Sequence, residues 1–328
     1  MLDIDPRTRN ANMPKKIIVG RSYSRKNHLT VSCGDCLRFL RSLPSGVAQL
    51  VITSPPYNVG KEYEHFQPLD EFLSFQKKVI SECVRITRTG GSICWQVGSH
   101  FDRRGDLIPL DAALYPLFSE HEQLRLRNRI VWHFEHGLHS KLKFSGRYET
   151  ILWYAKGDKN IFNLDSVRVP QKYPGKRSYR GANKGKLSCN RKGKNPGDVW
   201  QIPNVKANHV EKTEHPCQFP IALAENLVLA LSNRRQLVVD PFLGAGTTAL
   251  AALRNGRRAA GAEVNKAYIR IIEERLSMLM NDSLPYRPRT KPVHIPKPGT
   301  RLTTPYWLNG HSNGVASNGK EIQIPKDH

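Results

Sequence analysis

The sequence contains no apolar run that approaches the ~20 residues needed to cross a membrane, and its first residues form no apolar secretory core. We therefore expect a soluble, cytoplasmic protein without a membrane partner. Acidic residues are also scarce: 28 Asp and Glu stand against 51 Lys and Arg, which gives a formal net charge of +23. This imbalance predicts a polyanionic partner such as nucleic acid.

Cysteine is present but forms no regular framework. Its six positions are irregularly spaced and fall mostly within apolar segments, so we expect reduced thiols rather than disulfides. Cys33 and Cys36 form a C-x-x-C pair, but no second pair completes a four-ligand zinc site. No metal is expected.

Short apolar runs alternate with segments of helical periodicity along most of the chain. The runs predict strands at 31–33, 47–53, 92–97, 129–134, 150–154, 237–239 and 258–263. Helices are predicted at about 37–43, 66–88, 109–118, 247–255 and 268–279, the second of them ended by Gly90 and Gly91. This alternation predicts an α/β fold whose mainly parallel, doubly wound sheet is covered by helices on both faces.

The most informative segment is Thr53-Ser54-Pro55-Pro56-Tyr57-Asn58, which follows the apolar run of a buried strand. Two successive prolines fix the backbone and remove two donors, so the carbonyl groups of Ser54 and Pro55 are presented as acceptors. Tyr57 offers a flat face on which a planar heterocycle can stack. The segment is therefore suited to grip the exocyclic amine of such a ring.

A second loop lies far downstream, where Leu237-Val238-Val239 leads into Asp240-Pro241-Phe242-Leu243-Gly244-Ala245-Gly246-Thr247-Thr248. Gly244 and Gly246 permit close backbone approach between a strand and a helix N-terminus, which suits a nucleoside-like cofactor. Glu263 closes the next apolar strand, where an acidic side chain can hold both ribose hydroxyls. Two such loops predict one site that binds two molecules.

Together these motifs resemble the amino-methyltransferases of DNA, which transfer a methyl group from S-adenosylmethionine to adenine N6 or cytosine N4. The Pro-Pro-Tyr loop precedes the glycine loop, which is the order of the family's β group. The resemblance covers roughly residues 30–276 and includes Gly34-Asp35-Cys36, His215-Pro216-Cys217-Gln218-Phe219-Pro220 and Gly261-Ala262-Glu263.

This resemblance implies a Rossmann-like methyltransferase sheet with an inserted DNA-recognition region. It also implies S-adenosylmethionine as cofactor, double-stranded DNA as partner, base flipping, and direct methyl transfer without a covalent enzyme intermediate. The family's catalytic residues map onto Ser54, Pro55, Pro56 and Tyr57. Its cofactor-binding residues map onto Asp35, for which a helix cap is the alternative, and onto Asp240, Phe242, Gly244, Gly246, Thr247 and Glu263.

The target base is ambiguous in the sequence. Ser54 is typical of relatives that act on cytosine N4, and Phe219 stands where adenine-modifying relatives often have Lys. The continuation through Asn58-Val59-Gly60-Lys61 resembles the adenine group, so adenine N6 is favoured and cytosine N4 is the alternative. RNA or a protein amide as substrate, and a DNA-binding protein that has lost catalysis, are further alternatives. Both loops are intact, which argues against lost catalysis.

Composition divides the chain into a flexible basic arm (1–28), a catalytic half (29–164), a basic target-recognition insertion (165–214), a cofactor-binding half (215–280) and a flexible tail (281–328). The insertion has few apolar residues, so its order is expected to depend on DNA. Its candidate phosphate contacts are Lys184, Lys186, Arg191, Lys192 and Lys194, with a merely solvated insertion as the alternative.

The tail carries an isolated Tyr306-Trp307-Leu308 that could dock on a second subunit. Because relatives of the β group are often dimers, the resemblance also implies a homodimer.

Overall fold

The computed structural model of the chain describes residues 13–14, 16–58, 67–102, 104–137, 139–295, 297–300 and 303. Within these residues the strands are β1 (Val19–Gly20), β2 (Leu29–Cys33), β3 (Ala48–Thr53), β4 (Thr87–Val97), β5 (Ser99–Phe101), β6 (Leu107–Pro109), β7 (Leu124–His133), β8 (Tyr148–Lys156), β9 (Val199–Gln201), β10 (Leu237–Asp240) and β11 (Arg258–Glu263). The helices are α1 (Cys36–Ser42), α2 (Leu69–Ile86), α3 (Leu110–Ser119), α4 (Ile221–Leu231), α5 (Thr247–Arg254) and α6 (Lys266–Met280).

Nine of these strands form one sheet in the order β1-β2-β11-β10-β3-β4-β8-β7-β9, and β5 and β6 form a separate hairpin. In this order, every neighbouring pair from β1 through β2, β11, β10 and β3 to β4 is parallel. β8 pairs antiparallel with both β4 and β7, while β9 is parallel to β7. The expected mainly parallel α/β sheet is therefore confirmed, and β8 is its reversed strand among the described residues.

Helices cover both faces of the sheet, because alternate side chains of its central strands enter two separate cores. Leu50 and Ile52 of β3 pack with the apolar residues of α4, α5 and α6. Val51, which points the opposite way, packs with those of α1, α2 and α3. The side chains of Leu50, Val51 and Ile52 are all buried, as expected for a strand with a continuous apolar run.

The sheet reverses its winding between β10 and β3. From β10 the chain continues through α5 to β11 on one side, and from β3 it continues through α2 to β4 on the other. In open α/β sheets, ligands bind outside the carboxyl ends of the strands at such a switch point. Thr53 ends β3 and Asp240 ends β10, so both predicted loops begin at this crevice.

Gly90 and Gly91 do not end the second helix, contrary to the sequence expectation. Helix α2 already ends at Ile86, where the Thr87 N–H bonds to the Cys83 carbonyl. The two glycines lie inside β4, next to a register irregularity in its pairing with β3. A Cβ on Gly91 would lie 2.8 Å from the Gln49 carbonyl oxygen, so the residue allows β3 to approach closely.

Parts of the two predicted flexible ends are packed, which corrects that expectation. In the arm, Ile17 is buried and β1 pairs with β2, while the Arg258 guanidinium bonds to the Ser24 and Asn27 carbonyls. In the tail, Leu284 is buried and Arg254 stacks on the Tyr286 ring. Ordinary burial and side-chain hydrogen bonds anchor both segments, although their composition is polar.

The chain divides into two compact units, residues 1–291 and 292–328. In the second unit, the described residues form turns, in which Thr303 Oγ1 donates to the Lys297 carbonyl at 2.9 Å. The predicted docking segment Tyr306-Trp307-Leu308 lies outside the described residues, as do residues 59–61. None of the helices in the described ranges combines the length and the apolarity that a membrane crossing requires.

Candidate active site

The Pro-Pro-Tyr loop, residues 54–58, lies directly beyond β3, and its tyrosine is held by contacts from several elements. The Tyr57 hydroxyl lies 2.9 Å from Ser54 Oγ and donates to Glu149 Oε2 at 3.0 Å. The ring packs against Gly98, where an added Cβ would lie 3.3 Å from ring atom Cε2. These contacts fix the orientation of Tyr57.

The order of donors in this cluster determines which lone pairs Ser54 leaves available. A tyrosine hydroxyl has one proton, which Tyr57 donates to Glu149 Oε2, an oxygen that also accepts from Gln96 Nε2. Ser54 is then the donor in its contact with Tyr57. The remaining lone pairs of Ser54 Oγ can accept a hydrogen bond from an amine.

Glu149 is a site residue that the sequence reasoning missed. It lies at the start of β8, and because that strand is reversed, its start reaches the same edge as the carboxyl end of β4. Gln96 Nε2 donates to Glu149 Oε2 at 2.8 Å. Desolvation raises the pKa of the partly accessible Glu149 carboxyl, while the bonds from Gln96 and Tyr57 oppose that rise. An acidic residue directly before the apolar run 150–155 was the available signal.

Asp240 connects the two loops. Its Oδ1 accepts from Thr53 Oγ1 at 2.7 Å and from the Phe242 backbone N–H at 3.0 Å. Burial is the main cause that raises the pKa of Asp240 to about 7. Thr248 lies near enough to lower this pKa, but its hydroxyl and Asp240 Oδ2 make no hydrogen bond of normal geometry within the described chain. A cationic ligand group beside Oδ2 would satisfy this buried oxygen and lower the pKa.

Gly244 and Gly246 have φ values of +50° and +76°, which residues with a Cβ rarely adopt. The structure explains both glycines by packing of the loop on the protein itself. A Cβ on Gly244 would lie 2.9 Å from His215 Nε2, and a Cβ on Gly246 would lie 3.0 Å from the Ile272 side chain. Packing on Ile272 already requires a glycine at position 246, and the close approach of a ligand there stays a prediction.

His215 supports the glycine loop from the segment 215–220. Its ring packs edge-on against Tyr268, with 4.4 Å between the ring centroids. Burial lowers the pKa of His215 to about 4, so the imidazole is neutral near pH 7. His215 thus packs between the glycine loop and Tyr268.

Glu263 lies at the end of β11 and accepts two backbone hydrogen bonds. Gly244 N–H donates to Oε2 and Asn265 N–H donates to Oε1, each at 2.8 Å. Desolvation raises the pKa of the Glu263 carboxyl, and these backbone bonds oppose the rise. A carboxylate has about four lone-pair sites, so Glu263 can brace the glycine loop and still accept a hydrogen bond from a ligand.

Arg275 is a second residue that the sequence reasoning missed. This buried arginine of α6 donates from Nη1 to the Ala245 carbonyl at 2.6 Å and to Thr247 Oγ1 at 3.2 Å. Burial lowers the pKa of Arg275 to about 10, and the group remains charged at neutral pH. Thr247, a predicted cofactor residue, thus has its hydroxyl oriented by α6. The sequence signal for Arg275 was a charged residue on the apolar face of α6 that includes Ile271, Ile272 and Leu276.

Two further predicted cofactor residues lie beside the crevice with contacts of their own. Asp35 is exposed, and its Oδ1 caps α1 by accepting the Arg38 N–H at 2.8 Å. The Phe242 ring packs at 6.3 Å from that of Phe75 on α2. Asp35 therefore caps a helix, which was the alternative interpretation. Its contact with a cofactor remains a prediction.

The middle of the basic insertion forms an irregular hairpin. Val169 and Lys194 exchange both backbone hydrogen bonds, and Arg177 pairs with Leu187 nearer the tip. The segment thus has local order of its own, whereas the sequence predicted order that depends on DNA. Its five predicted phosphate-contacting side chains are all exposed, namely Lys184, Lys186, Arg191, Lys192 and Lys194. Lys192 forms an ion pair with Asp165 at 2.5 Å.

Across the described ranges, no group of three or more His, Cys, Asp or Glu side chains could hold a metal ion. The cysteines are free thiols, and burial raises the pKa of Cys36 to about 12.

The fold, the switch-point crevice and the paired loops define an S-adenosylmethionine-dependent methyltransferase. The chain matches the DNA methylase family model of N6 and N4 methyltransferases over residues 48–274. Because this match spans more than half of the chain, the protein belongs to that family.

Individual relatives agree with this assignment. The type II methyltransferase M.BglII of Bacillus subtilis is 46% identical over 271 residues, which cover 82% of this chain and 74% of that protein. The DNA adenine methyltransferase YhdJ of Escherichia coli K12 is 32% identical and covers 76% of this chain and 83% of its own. The Thermus thermophilus protein TTHA0409, solved in complex with S-adenosylmethionine, is 27% identical with a TM-score of 0.54, covering 76% of this chain and 95% of its own.

The protein is thus a DNA amino-methyltransferase whose cofactor is S-adenosylmethionine. The buried Asp240 Oδ2, which makes no hydrogen bond of normal geometry to any residue that the structure describes, fits a cofactor that carries an ammonium and a sulfonium group.

Proposed function

We propose that this enzyme flips a base out of duplex DNA and methylates its exocyclic amine, with adenine N6 as the favoured target and cytosine N4 as the alternative. The observation that carries the proposal is the hydrogen-bond chain from Ser54 through Tyr57 to Glu149. It presents an acceptor oxygen next to an aromatic face of fixed orientation. A planar base with an amino group is the ligand that uses both features.

In this proposal the amine of the flipped base donates to Ser54 Oγ and to the Pro55 carbonyl while its ring stacks on Tyr57. Both acceptors draw the nitrogen lone pair out of conjugation and direct it at the methyl donor. The cofactor supplies an activated methyl group on a sulfonium. The protein contributes positioning and electrostatics, and the amine proton leaves to solvent or a neighbouring acceptor.

Asp240 and Glu263 are assigned to opposite ends of the cofactor. Asp240 Oδ2 is a buried acceptor that suits a cationic group of the methionine end. Glu263 has unused lone pairs beside the glycine loop, and these suit the ribose hydroxyls. Glu263→Gln should clearly lower the affinity for the cofactor measured by calorimetry. It should lower the melting temperature of the free protein only slightly, because the amide keeps one acceptor for the loop.

Specific observations favour each of the two bases. For cytosine N4, Ser54 stands at the first loop position and lies within the site, hydrogen-bonded to Tyr57. For adenine N6, the relative YhdJ is named a DNA adenine methyltransferase, and the continuation through 59–61 resembles that group, although these residues lie outside the described ranges. The pairing edges of both bases carry an amino group beside a ring nitrogen, so the grip on the amine serves either.

Mass spectrometry of nucleosides would test the proposal and distinguish the bases. Unmethylated plasmid DNA is incubated with the protein and S-adenosylmethionine that carries a deuterated methyl group, and the DNA is then hydrolysed to nucleosides. Label in N6-methyladenosine or in N4-methylcytidine, each as the deoxynucleoside, identifies the target. A labelled 5-methylcytosine, or no label at all in DNA, would contradict the proposed site. The Tyr57→Ala protein is the matched control for contaminating activity.

A further inference from the structure

We propose that the loop between β7 and β8 inserts Leu142 and Phe144 into the DNA base stack at the place that the flipped base leaves. These two side chains are the most exposed large apolar groups in the described chain, at 98% and 102% of their accessible surface. Neighbouring apolar side chains that form a shared exposed patch mark an interaction surface, whereas single scattered ones do not. This inference rests on the proposed base flipping.

The loop tip is held in a defined conformation. Ser140 Oγ accepts from the Leu142 and Lys143 backbone N–H groups at 3.3 and 3.2 Å, and the Ser140 N–H donates to Ser145 Oγ at 3.0 Å. At its base, the Phe134 N–H bonds to the Arg147 carbonyl at 2.8 Å. Internal hydrogen bonds thus present the two apolar side chains outward.

The loop emerges at the mouth of the active site. It follows the carboxyl end of β7 and precedes the start of β8, where Glu149 accepts from Tyr57. Phe144 therefore lies five positions before Glu149, the residue that orients the Tyr57 ring. A group that fills the gap in the duplex must lie close to the pocket that receives the base, and this loop satisfies that requirement.

Charge identifies nucleic acid as the partner. Lys141 and Lys143 are exposed on either side of Leu142, and Lys143 Nζ lies 4.2 Å from the centroid of the Phe101 ring. Cations that flank an apolar tip can contact the phosphates on either side of an opened base step. A protein partner would be expected to bury the apolar residues without two lysines at the same tip.

The test compares a Leu142→Ser/Phe144→Ser protein with wild type on two duplexes, after the target site is mapped by sequencing of enzyme-treated DNA. One duplex is fully paired, and the other has a mismatch opposite the target base. We expect the double variant to methylate the paired duplex at least about tenfold more slowly, because the wedge no longer offsets unstacking. On the mismatched duplex, where the base is already unpaired, its rate should return close to that of wild type.

A Met278→Ser/Met280→Ser protein, altered at two half-exposed apolar residues of α6, is the matched control and should behave as wild type on both duplexes. Equal rates of wild type and the Leu142/Phe144 variant on paired DNA, or an equal defect on both duplexes, would refute the wedge. Loss of a wild-type dimer in the variant, seen by sedimentation, would assign the tip to a protein interface instead. Failure of wild type to methylate any duplex would contradict the proposed function itself.

Discussion

The two loops of the active site are held in different ways. The glycine loop is fixed through backbone groups: Gly244 N–H bonds to Glu263, the Ala245 carbonyl accepts from Arg275, and Gly246 packs against Ile272. The Pro-Pro-Tyr loop is fixed through side-chain hydroxyls and a ring. Changes in the glycine loop should therefore affect folding and cofactor binding together, whereas changes in the Pro-Pro-Tyr loop should affect catalysis alone.

The largest effect is expected from Tyr57→Ala. Stacking contributes roughly 1 to 3 kcal/mol, and the hydroxyl chain to Ser54 and Glu149 is lost as well, so methyl transfer should slow by at least about a hundredfold. Calorimetric affinity for S-adenosylmethionine should not change. Tyr57→Phe is the control that keeps the ring, and its rate should lie between the two. A Tyr57→Ala protein with normal turnover would remove Tyr57 from the site.

In the glycine loop, Gly246→Ala should lower the free energy of unfolding, whereas Tyr57→Ala should affect catalysis. The left-handed conformation costs roughly 1 to 2 kcal/mol with a Cβ, and the contact at 3.0 Å with Ile272 adds about 1 to 3 kcal/mol of overpacking. Gly185→Ala is the matched control, because its φ is +81° and no heavy atom lies within 4 Å of the added Cβ. If chemical denaturation gives equal losses for both variants, the packing argument is wrong.

Asp240 should make cofactor binding depend on pH. Its raised pKa of about 7 means that the folded protein holds this proton more tightly than the unfolded chain. The contribution of Asp240 to stability is therefore greatest below its ordinary pKa of 3.8 and falls as the pH rises toward 7. A cationic cofactor prefers the ionised form, so affinity should rise by up to about tenfold per pH unit below 7. Calorimetry should find weaker binding and no such rise in Asp240→Asn.

The smallest effect per residue concerns the basic insertion, which lies outside both loops. Replacing Lys184, Lys186 and Lys194 by Gln should flatten the slope of log DNA affinity against log salt by about 0.9 per lost phosphate contact, up to ~2.7 in total. Cofactor affinity should not change. The control replaces Arg41, Arg88 and Arg234, exposed residues beside the amino ends of β3, β4 and β10, at the edge opposite the crevice. Equal salt slopes for the two triple variants would indicate a merely solvated insertion.

Much of the fold follows from local patterns, because buried strands of a parallel sheet are short apolar runs. Strands β3, β10 and β11 were predicted to within a residue for this reason. The reversed direction of β8 leaves no such mark, since a strand buried on both faces reads alike in either direction. The role of Gly91 was misread because close approach of β3 and termination of a helix require the same residue type.

The candidate site divides in the same manner. Ser54, Tyr57, Asp240 and Glu263 stand in short motifs at the ends of strands, where the chain itself brings them to the crevice. Glu149 reaches Tyr57 only through the pairing of β8 with β4. Arg275 reaches Ala245 only through the packing of α6 beneath the glycine loop. Contacts across many residues depend on tertiary structure, which single-sequence periodicity does not contain.

The 2.7 Å hydrogen bond from Thr53 to Asp240 links the strand that precedes the target loop to the strand that precedes the cofactor loop. In the proposed site, a cofactor cation beside Asp240 would favour its ionised form and would thereby strengthen the bond that holds Thr53 in place. Thermodynamic reciprocity then requires the converse: whatever factor the cofactor adds to the affinity for the target duplex, the duplex adds to the affinity for the cofactor. Thr53→Val should bring this coupling factor closer to one. The change should be the same whether the factor is measured on the affinity for the cofactor or on the affinity for the duplex.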